Sequence, residues 1–221
     1  VDSDRPIQTD GMSEDLRNSL WNFIHEQYES RFDHWRPLAR YIAHLFRKVP
    51  VDNVPVRDYE CRRWVKSYFY ELEWYEVYDL IEFLVAHNAR MVKPPKYDRE
   101  RLAKLYNAIL ERELSGYRFI AGVLAPISSP AEAGEISDAA QKAARYGLDG
   151  ARAHIGAALE MLGKKPTPEY RNSVKESISA VESVAQQISG SSRGGLADAL
   201  TKLQKSVELH GALKKGFVQL Y

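Results

Sequence analysis

The residues best suited to chemistry lie near the start of one predicted helix, in the segment PEYRNSVKESISAVES (168–183). Arg171 and Lys175 are four positions apart, so both project from the same side of a helix. Like charges at this spacing destabilise a helix by roughly 0.2–0.5 kcal/mol, and the positive end of the helix dipole adds a similar penalty. We therefore expect an anion beside them. The sequence leaves two sources open, a carboxylate from a neighbouring helix or a bound phosphate.

Two further residues could join Arg171 in acid/base chemistry on a bound phosphate. Asn172 follows Arg171 directly, and its amide could bind the same group. His154, on the preceding predicted helix, lies about 100° from the apolar stripe of that helix, at its rim. A histidine there either has an ordinary backbone or carboxylate partner or transfers protons with Arg171 and Glu176 nearby. Both interpretations stay open.

Metal and thiol chemistry receive little support from the residue types. Cys61 is the only cysteine, so neither an internal disulfide nor a cluster of thiolates can form. The histidines show no paired spacing of the kind that binds zinc. We therefore predict no metal site and no cofactor. The CRRW segment that begins at Cys61 is interpreted as a solvated helix face, with contact to a nucleic-acid backbone as the alternative.

The helix that must position Arg171 is predicted to begin at Thr167 and Pro168 and to continue to about position 188. We take Val174 as the centre of its buried side. Five apolar residues lie within about 40° of that centre: Tyr170, Ile178, Val181, Ala185 and Ile188. This stripe is predicted to pack into the core. Arg171 and Lys175 then fall at its rim, while Asn172 and Glu176 point nearly opposite.

The first half of the chain has the pattern of helices separated by breaks. The predicted helical stretches span about 13–34, 37–48, 58–87 and 98–114. Ser13 and Asp98 are the predicted N-caps of the first and last of these, and Pro50 and Pro55 mark a break. Large aromatic side chains concentrate in the third stretch, so this half is expected to pack with rings.

Beyond Ser115 the pattern changes. The segment GYRFIAGVLAPI (116–127) is rich in β-branched and aromatic residues, which predicts two short strands or one edge hairpin. Ser129 with Pro130 starts a series of helices over about 129–146, 148–162, 167–188 and 196–221, the last preceded by the loop SGSSRGG. We therefore predict a mainly α fold with a boundary near Ser115: a helical N-terminal domain (1–115) and a helical bundle (116–221) with the small hairpin at the junction.

Composition bounds the function more loosely than it bounds the fold. The 221 residues are 44% hydrophobic, enough for a sizeable core. Lys plus Arg number 31 and Asp plus Glu 30, so anion binding would need a local patch. No apolar segment is long enough to span a membrane and the start shows no export signal, so we expect a cytoplasmic protein without membrane contact. The chain lacks an initiator Met and ends in GFVQLY without a helix-stop signal, so we expect the natural chain to continue beyond Tyr221.

Five segments carry a resemblance to a known family. In chain order they are DGMSEDLRNSLWN, WYEVYDLIEF, LSGYRFIAGVLAPI, AHIGAALEML and YRNSVKESISAVES. Together they span nearly the whole chain. The sequence resembles the bacterial abortive-infection family related to AbiJ, with an AbiJ-type N-terminal domain followed by a helical region similar to HEPN domains.

The resemblance implies antiviral defence. HEPN domains are typically metal-independent ribonucleases that dimerise and place an Arg and a His of an R-x4-6-H motif at a shared cleft. Arg171 and Asn172 would be the first half of that motif. The histidine would act as general acid or base on a ribose hydroxyl and the arginine would stabilise charge on the phosphate. The expected partners are therefore RNA, a second copy of the chain and an additional regulatory partner.

The histidine half of the motif is missing at the expected spacing. Positions 176–178, where it should follow Arg171, hold Glu, Ser and Ile. The histidine could lie beyond Tyr221, or His154 could substitute for it, polarised by Glu176 and Lys175, or the chain does not cut RNA. The ribonuclease hypothesis therefore stands beside a second one, a non-catalytic HEPN-like binding and dimerisation module that acts as a sensor or an antitoxin-like regulator.

Overall fold

Eight α-helices and one β-hairpin make up the part of the chain that the computed structural model describes, residues 6–29, 35–91, 95–190 and the single positions 201 and 216. The α-helices are α1 (Glu14–Tyr28), α2 (Trp35–Tyr41), α3 (Asp58–Glu71), α4 (Trp74–Met91), α5 (Arg99–Arg112), α6 (Pro130–Arg145), α7 (Asp149–Leu162) and α8 (Tyr170–Ser189). The strands are β1 (Arg118–Ile120) and β2 (Val123–Ala125). A π-helical turn (Ile42–Phe46) extends α2, and a 3-10 turn covers Val51–Asn53. The mainly α fold and the hairpin are as predicted.

Three of the helices begin where the sequence placed their caps. The side chains of Ser13, Asp98 and Ser129 each accept a hydrogen bond from the backbone N–H three residues further on, at 3.2, 2.7 and 3.3 Å. Each bond satisfies a donor that the first helical turn leaves without a partner. Pro130 occupies the first position of α6, where its fixed φ suits the helix.

Other predicted boundaries were wrong. The stretch over 58–87 is two helices, because the Glu76 carboxylate accepts the Glu73 N–H at 2.8 Å and starts α4 anew after the break. The last described helix begins at Tyr170 with Glu169 as its N-cap residue, two positions beyond the predicted start at Thr167 and Pro168. The first helix ends at Tyr28. Three predictions lie wholly or largely outside the described residues. They are the helix end at residue 34, most of the loop over 189–195 and nearly all of the helices over 196–221.

The first of two compact units, Val1–Ser128, has a core of aromatic rings. The side chains of Tyr28, Phe69, Tyr78 and Tyr106 are fully buried. The ring of Trp21 lies 5.5 Å from that of Phe69, centroid to centroid. Rings of this size remove large apolar areas from water and hold fixed relative orientations. This unit is therefore stabilised mainly by ring packing.

The hairpin belongs to this first unit. Its antiparallel register pairs Phe119 with Leu124. The Asn107 side chain on α5 donates to the Phe119 carbonyl at 2.9 Å and accepts the Phe119 N–H at 2.7 Å. The Glu82 carboxylate on α4 accepts the Leu124 N–H at 2.9 Å. Because both strands are fastened to helices of the first unit, the chain divides after Ser128, beyond the boundary predicted near residue 115.

The second unit, Ser129–Tyr221, buries mainly small side chains. Its described helices are α6, α7 and α8. Apart from Leu159, their buried side chains are those of Ala143, Ala151, Ala158, Ser173, Ala180 and Ala185. An apolar groove of about 420 Å³ runs along these helices. Helices with small residues at their contact can approach closely, and here that approach positions the polar residues described next.

Candidate functional site

Three contacts align α7 and α8 as an antiparallel pair. Ser173 Oγ donates a hydrogen bond to the Ala158 carbonyl at 2.9 Å. One turn further back along α7, His154 meets Glu176. One more turn back, Gly150 lies so close to Ser183 that a Cβ at Gly150 would collide with the serine side chain. The residue numbers rise along α7 as they fall along α8, so the helices run in opposite directions, with His154 midway between the other two contacts.

His154 and Glu176 form the central polar contact of this helix pair. His154 Nδ1 lies 2.7 Å from Glu176 Oε2. The side chain of His154 is 40% exposed and that of Glu176 is 22% exposed. An ionised carboxylate can only accept hydrogen bonds, so it favours the imidazole form that carries its proton on Nδ1. That form leaves Nε2, the other ring nitrogen, with a lone pair for a proton or a ligand. The sequence indicated His154 at the rim, with Glu176 nearby in one of its two interpretations, and the two side chains meet in the structure.

Arg171 and Lys175 are exposed on the first two turns of α8. Neither side chain has an ion pair or a hydrogen bond with another described residue. The internal carboxylate that the sequence allowed as their counter-ion is therefore not found within the described ranges. Two like charges at this spacing near a positive helix end make a local electrostatic field that favours a bound anion.

The Asn172 side chain, at the start of α8, already has a hydrogen-bond partner within the protein. Its Nδ2 donates to Glu169 Oε2 at 2.9 Å, and Lys164 Nζ binds the other oxygen of the same carboxylate. These hydrogen bonds, that from Lys164 first, lower the pKa of Glu169. Asn172 can orient a phosphate only if it first releases Glu169.

The predicted buried stripe of α8 was wrong at three of its six residues; Ala185 is buried and Ile178 and Val181 are half-buried, as the stripe required. Val174, taken as its centre, is 53% exposed, and Tyr170 and Ile188 are 60% and 57% exposed. The residues that face the core are instead Ser173, Ala180 and Ala185, of which only Ala185 belonged to the predicted stripe. Small residues occupy the buried side of α8 because α7 approaches closely there. The consequence is a set of large apolar side chains left on the outside of α8.

More than half of the chain matches the model of a known protein family. The family model described as AbiJ N-terminal domain 4 matches residues 2–142. The chain belongs to this family. Membership supports a role in abortive-infection defence. Neither a curated protein nor a solved structure significantly matches the chain.

The match locates the AbiJ part of the chain. It spans α1 to α5, the hairpin and most of α6, and it ends before α7 begins. His154, Glu176 and Arg171 therefore lie beyond the matched AbiJ region, and the HEPN-like nature of that part stays a prediction. Among the helices described in this AbiJ protein, none is both long and apolar enough to cross a membrane.

A second basic cluster lies inside the matched AbiJ region, and the sequence indicated it only in part, as the CRRW segment with nucleic-acid contact as the alternative. Arg62 and Arg63, within the CRRW segment interpreted as a solvated face, line a pocket with Lys66 of α3 and with His25 of α1. Arg62 and Lys66 stand four positions apart, the same like-charge spacing that drew attention to Arg171. That spacing was the available signal, and the pairing with α1 needed the structure.

Proposed function

We propose that this AbiJ-family chain is an abortive-infection effector that cleaves RNA by metal-independent acid/base chemistry on the α7–α8 pair. The observation that carries the proposal is the His154–Glu176 contact of 2.7 Å, with an exposed imidazole and two exposed cations on the same helix as the carboxylate. A histidine oriented by a carboxylate is a recurring arrangement for proton transfer near neutral pH.

In the proposed reaction, His154 acts as general base through Nε2. It removes the proton from a ribose 2′-hydroxyl, and the 2′-oxygen attacks the adjacent phosphorus. The bond from phosphorus to the 5′-oxygen breaks, and that oxygen takes a proton from water. The products are a 2′,3′-cyclic phosphate and a 5′-hydroxyl. Glu176 holds the ring in place and stabilises the imidazolium that forms.

Arg171 and Lys175 bind the phosphate in this proposal. A planar guanidinium can give two parallel hydrogen bonds to phosphate oxygens, and the ammonium of Lys175 adds a point charge. Both groups would stabilise the extra negative charge on phosphorus-bound oxygens in the transition state. Their exposure and their lack of partners within the described residues support this role.

The test compares growth arrest and RNA integrity for the full chain and its variants. His154→Gln is expected to lower cleavage by about a hundredfold or more, the usual contribution of a general base. Glu176→Gln and Arg171→Ala should each cost about tenfold or more. His44→Gln and Arg152→Ala are matched controls, because His44 is an exposed histidine of the first unit and Arg152 already pairs with Asp149 at 3.3 Å. Folded His154→Gln protein that cuts RNA and arrests growth like wild type would refute the proposal.

A different observation favours the second candidate function, a non-catalytic binding and dimerisation module. Tyr170, Val174 and Ile188 leave more than half of their surfaces exposed on α8, and apolar side chains grouped on one helix commonly mark an interface. The partner proposed here is a second copy of the chain. Under this alternative, wild type sediments as a dimer without cutting RNA, and Val174→Glu makes it a monomer.

A further inference from the structure

A pocket of about 420 Å³ lies in the first unit, between α1 and α3. It is lined by Trp21, Asn22, His25, Arg62, Arg63 and Lys66, and we call it the Lys66 pocket. Its volume falls within the range of about 300–1,000 Å³ that is usual for small-molecule sites. None of these residues belongs to the helix pair proposed to cleave RNA.

The pocket concentrates positive charge on α3. Arg62 and Lys66 are four positions apart and Arg63 and Lys66 three apart, so the three cations are neighbours on one helix surface. Arg62 has one carboxylate nearby, that of Glu29 at 3.6 Å, a long separation for an ion pair. For Arg63 and Lys66 the structure gives no carboxylate partner within the described ranges. The local charge is therefore balanced only in part by the protein.

Aromatic rings take the place of carboxylates beside two of these cations. The guanidinium carbon of Arg63 lies 5.7 Å from the centroid of the Tyr59 ring. Lys66 Nζ lies 5.9 Å from the Trp21 centroid and 5.8 Å from that of Tyr70. Ring faces hold cations in place without neutralising them. The ammonium and guanidinium groups thus keep their full charge for a ligand, and the ring of Tyr70, 38% exposed, offers an aromatic surface alongside.

A histidine and an amide complete the pocket wall. His25 Nδ1 is 2.9 Å from Glu29 Oε2, which leaves Nε2 as the ring atom without that partner. Asn22 adds an exposed amide. Cationic groups and amide N–H groups are donors that phosphate oxygens prefer. An adjacent exposed ring is the usual surface for a nucleobase.

We propose that the Lys66 pocket binds a nucleoside polyphosphate, with the phosphates at Arg62, Arg63 and Lys66 and the base against Tyr70. The limited volume favours a single nucleotide over a length of nucleic acid. This site is independent of the proposed RNA cleavage, since it lies on other residues in the other unit.

Calorimetric titration of the full chain tests the proposal with three probes: ATP, inorganic triphosphate, and a short single-stranded RNA without terminal phosphates. ATP is expected to bind more tightly than triphosphate, because triphosphate lacks a base. It should also bind more tightly than the RNA, which lacks the terminal phosphates. Binding should weaken as salt rises, since exposed charges are screened. No ATP binding, triphosphate binding as tight as ATP binding, or tighter RNA binding would each overturn the proposal.

Paired variants locate the ligand. The double substitution Arg63→Gln and Lys66→Gln should weaken ATP binding by about tenfold or more, because two charge-assisted contacts are lost. Arg101→Gln with Lys104→Gln is the matched control. These two cations are also exposed and three positions apart on a helix of the same unit, and Arg101 lies 5.4 Å from the Tyr97 ring. The control should keep ATP affinity within about twofold.

A third variant keeps the test independent of folding defects. Glu29→Gln removes the carboxylate that competes with the ligand for Arg62. It should therefore tighten ATP binding severalfold, a gain that damage to the fold does not produce. Unchanged or weaker ATP binding by Glu29→Gln, or equal loss in the two double variants, would show that the nucleotide does not occupy this pocket.

Discussion

The two units of the chain bury different kinds of side chain. The first encloses large rings such as Phe69 and Tyr106, fully removed from water. The second encloses alanines and Ser173, and it leaves Tyr170 and Val174 on its outer surface. Ring packing fixes the first unit by burial of apolar area, whereas close helix contact and a few polar bonds align the second.

This difference teaches where the proposed chemistry can sit. Small buried residues let the backbones of α7 and α8 approach closely, so the side chains of His154 and Glu176 meet while staying accessible to solvent. In the first unit the cations of the Lys66 pocket lie at the surface of the aromatic core. Matched substitutions in each unit therefore test whether the two units differ in this way.

The largest expected effect is in the aromatic core. Phe69→Ala removes a fully buried ring and should lower the free energy of unfolding of the first unit by about 3–5 kcal/mol. All four tryptophans lie at or before Trp74, so tryptophan fluorescence during urea unfolding reports on this unit alone. Amide exchange in α7 and α8 should stay near the wild-type rates.

The matched change in the second unit is Leu159→Ala. Leu159 is buried but lines the apolar groove, so its surroundings can relax after the change. The free energy of unfolding should therefore fall by about 2 kcal/mol, near the low end for a Leu→Ala change. Equal costs for Leu159→Ala and Phe69→Ala, or faster exchange in both units after either change, would remove the distinction between the two cores.

Alkaline pH should destabilise the first unit selectively. Burial raises the pKa of Tyr78 to about 12 and raises those of Tyr28 and Tyr106 as well. Above the usual tyrosine pKa of 10.0, the unfolded chain loses phenol protons that the folded chain keeps, so stability falls as pH rises. For Tyr78 alone the loss between the two values is on the order of 2–3 kcal/mol.

The measurement is the urea midpoint of tryptophan fluorescence as a function of pH. Tyr78→Phe should flatten part of the alkaline decline, although it also removes the 2.8 Å hydrogen bond to Ser115. The described tyrosines of the second unit, Tyr146 and Tyr170, are mostly exposed and should contribute little. A midpoint that does not change with alkaline pH would contradict the burial of these phenols.

The smallest expected effect is at the outer surface of α8. Val174→Ser should change the free energy of unfolding by less than about 0.5 kcal/mol, as is usual for exposed positions. Amide exchange in α8 measures it. A loss of several times that size would mean that Val174 is covered and that the stripe predicted from the sequence packs after all.

Much of the fold could be predicted because its signals are local. Ser13, Asp98 and Ser129 cap helices through their own side chains, and the β-branched run with Gly122 predicts the hairpin. The helix break before Trp74 was missed because it depends on one carboxylate, that of Glu76, turning back to a backbone N–H. No proline or glycine marks it.

The candidate site was predicted in part. The polar spacing on α8 and the rim position of His154 identified residues that the structure brings within hydrogen-bonding distance. The buried face of α8 could not be predicted from hydrophobicity, because Ser173 and Ala180 are buried for their small size against α7 rather than for their apolar character. The close approach of α7 and α8 depends on both helices together, so the pattern of α8 alone does not predict it.

The central claim is most directly tested by the chemical ends of RNA cut by the full chain in the presence of a metal chelator. The proposed attack by the 2′-oxygen predicts 2′,3′-cyclic phosphate and 5′-hydroxyl ends for wild type, and intact RNA for His154→Gln. No cleavage by wild type, 5′-phosphate ends, or equal cleavage by His154→Gln would contradict the account.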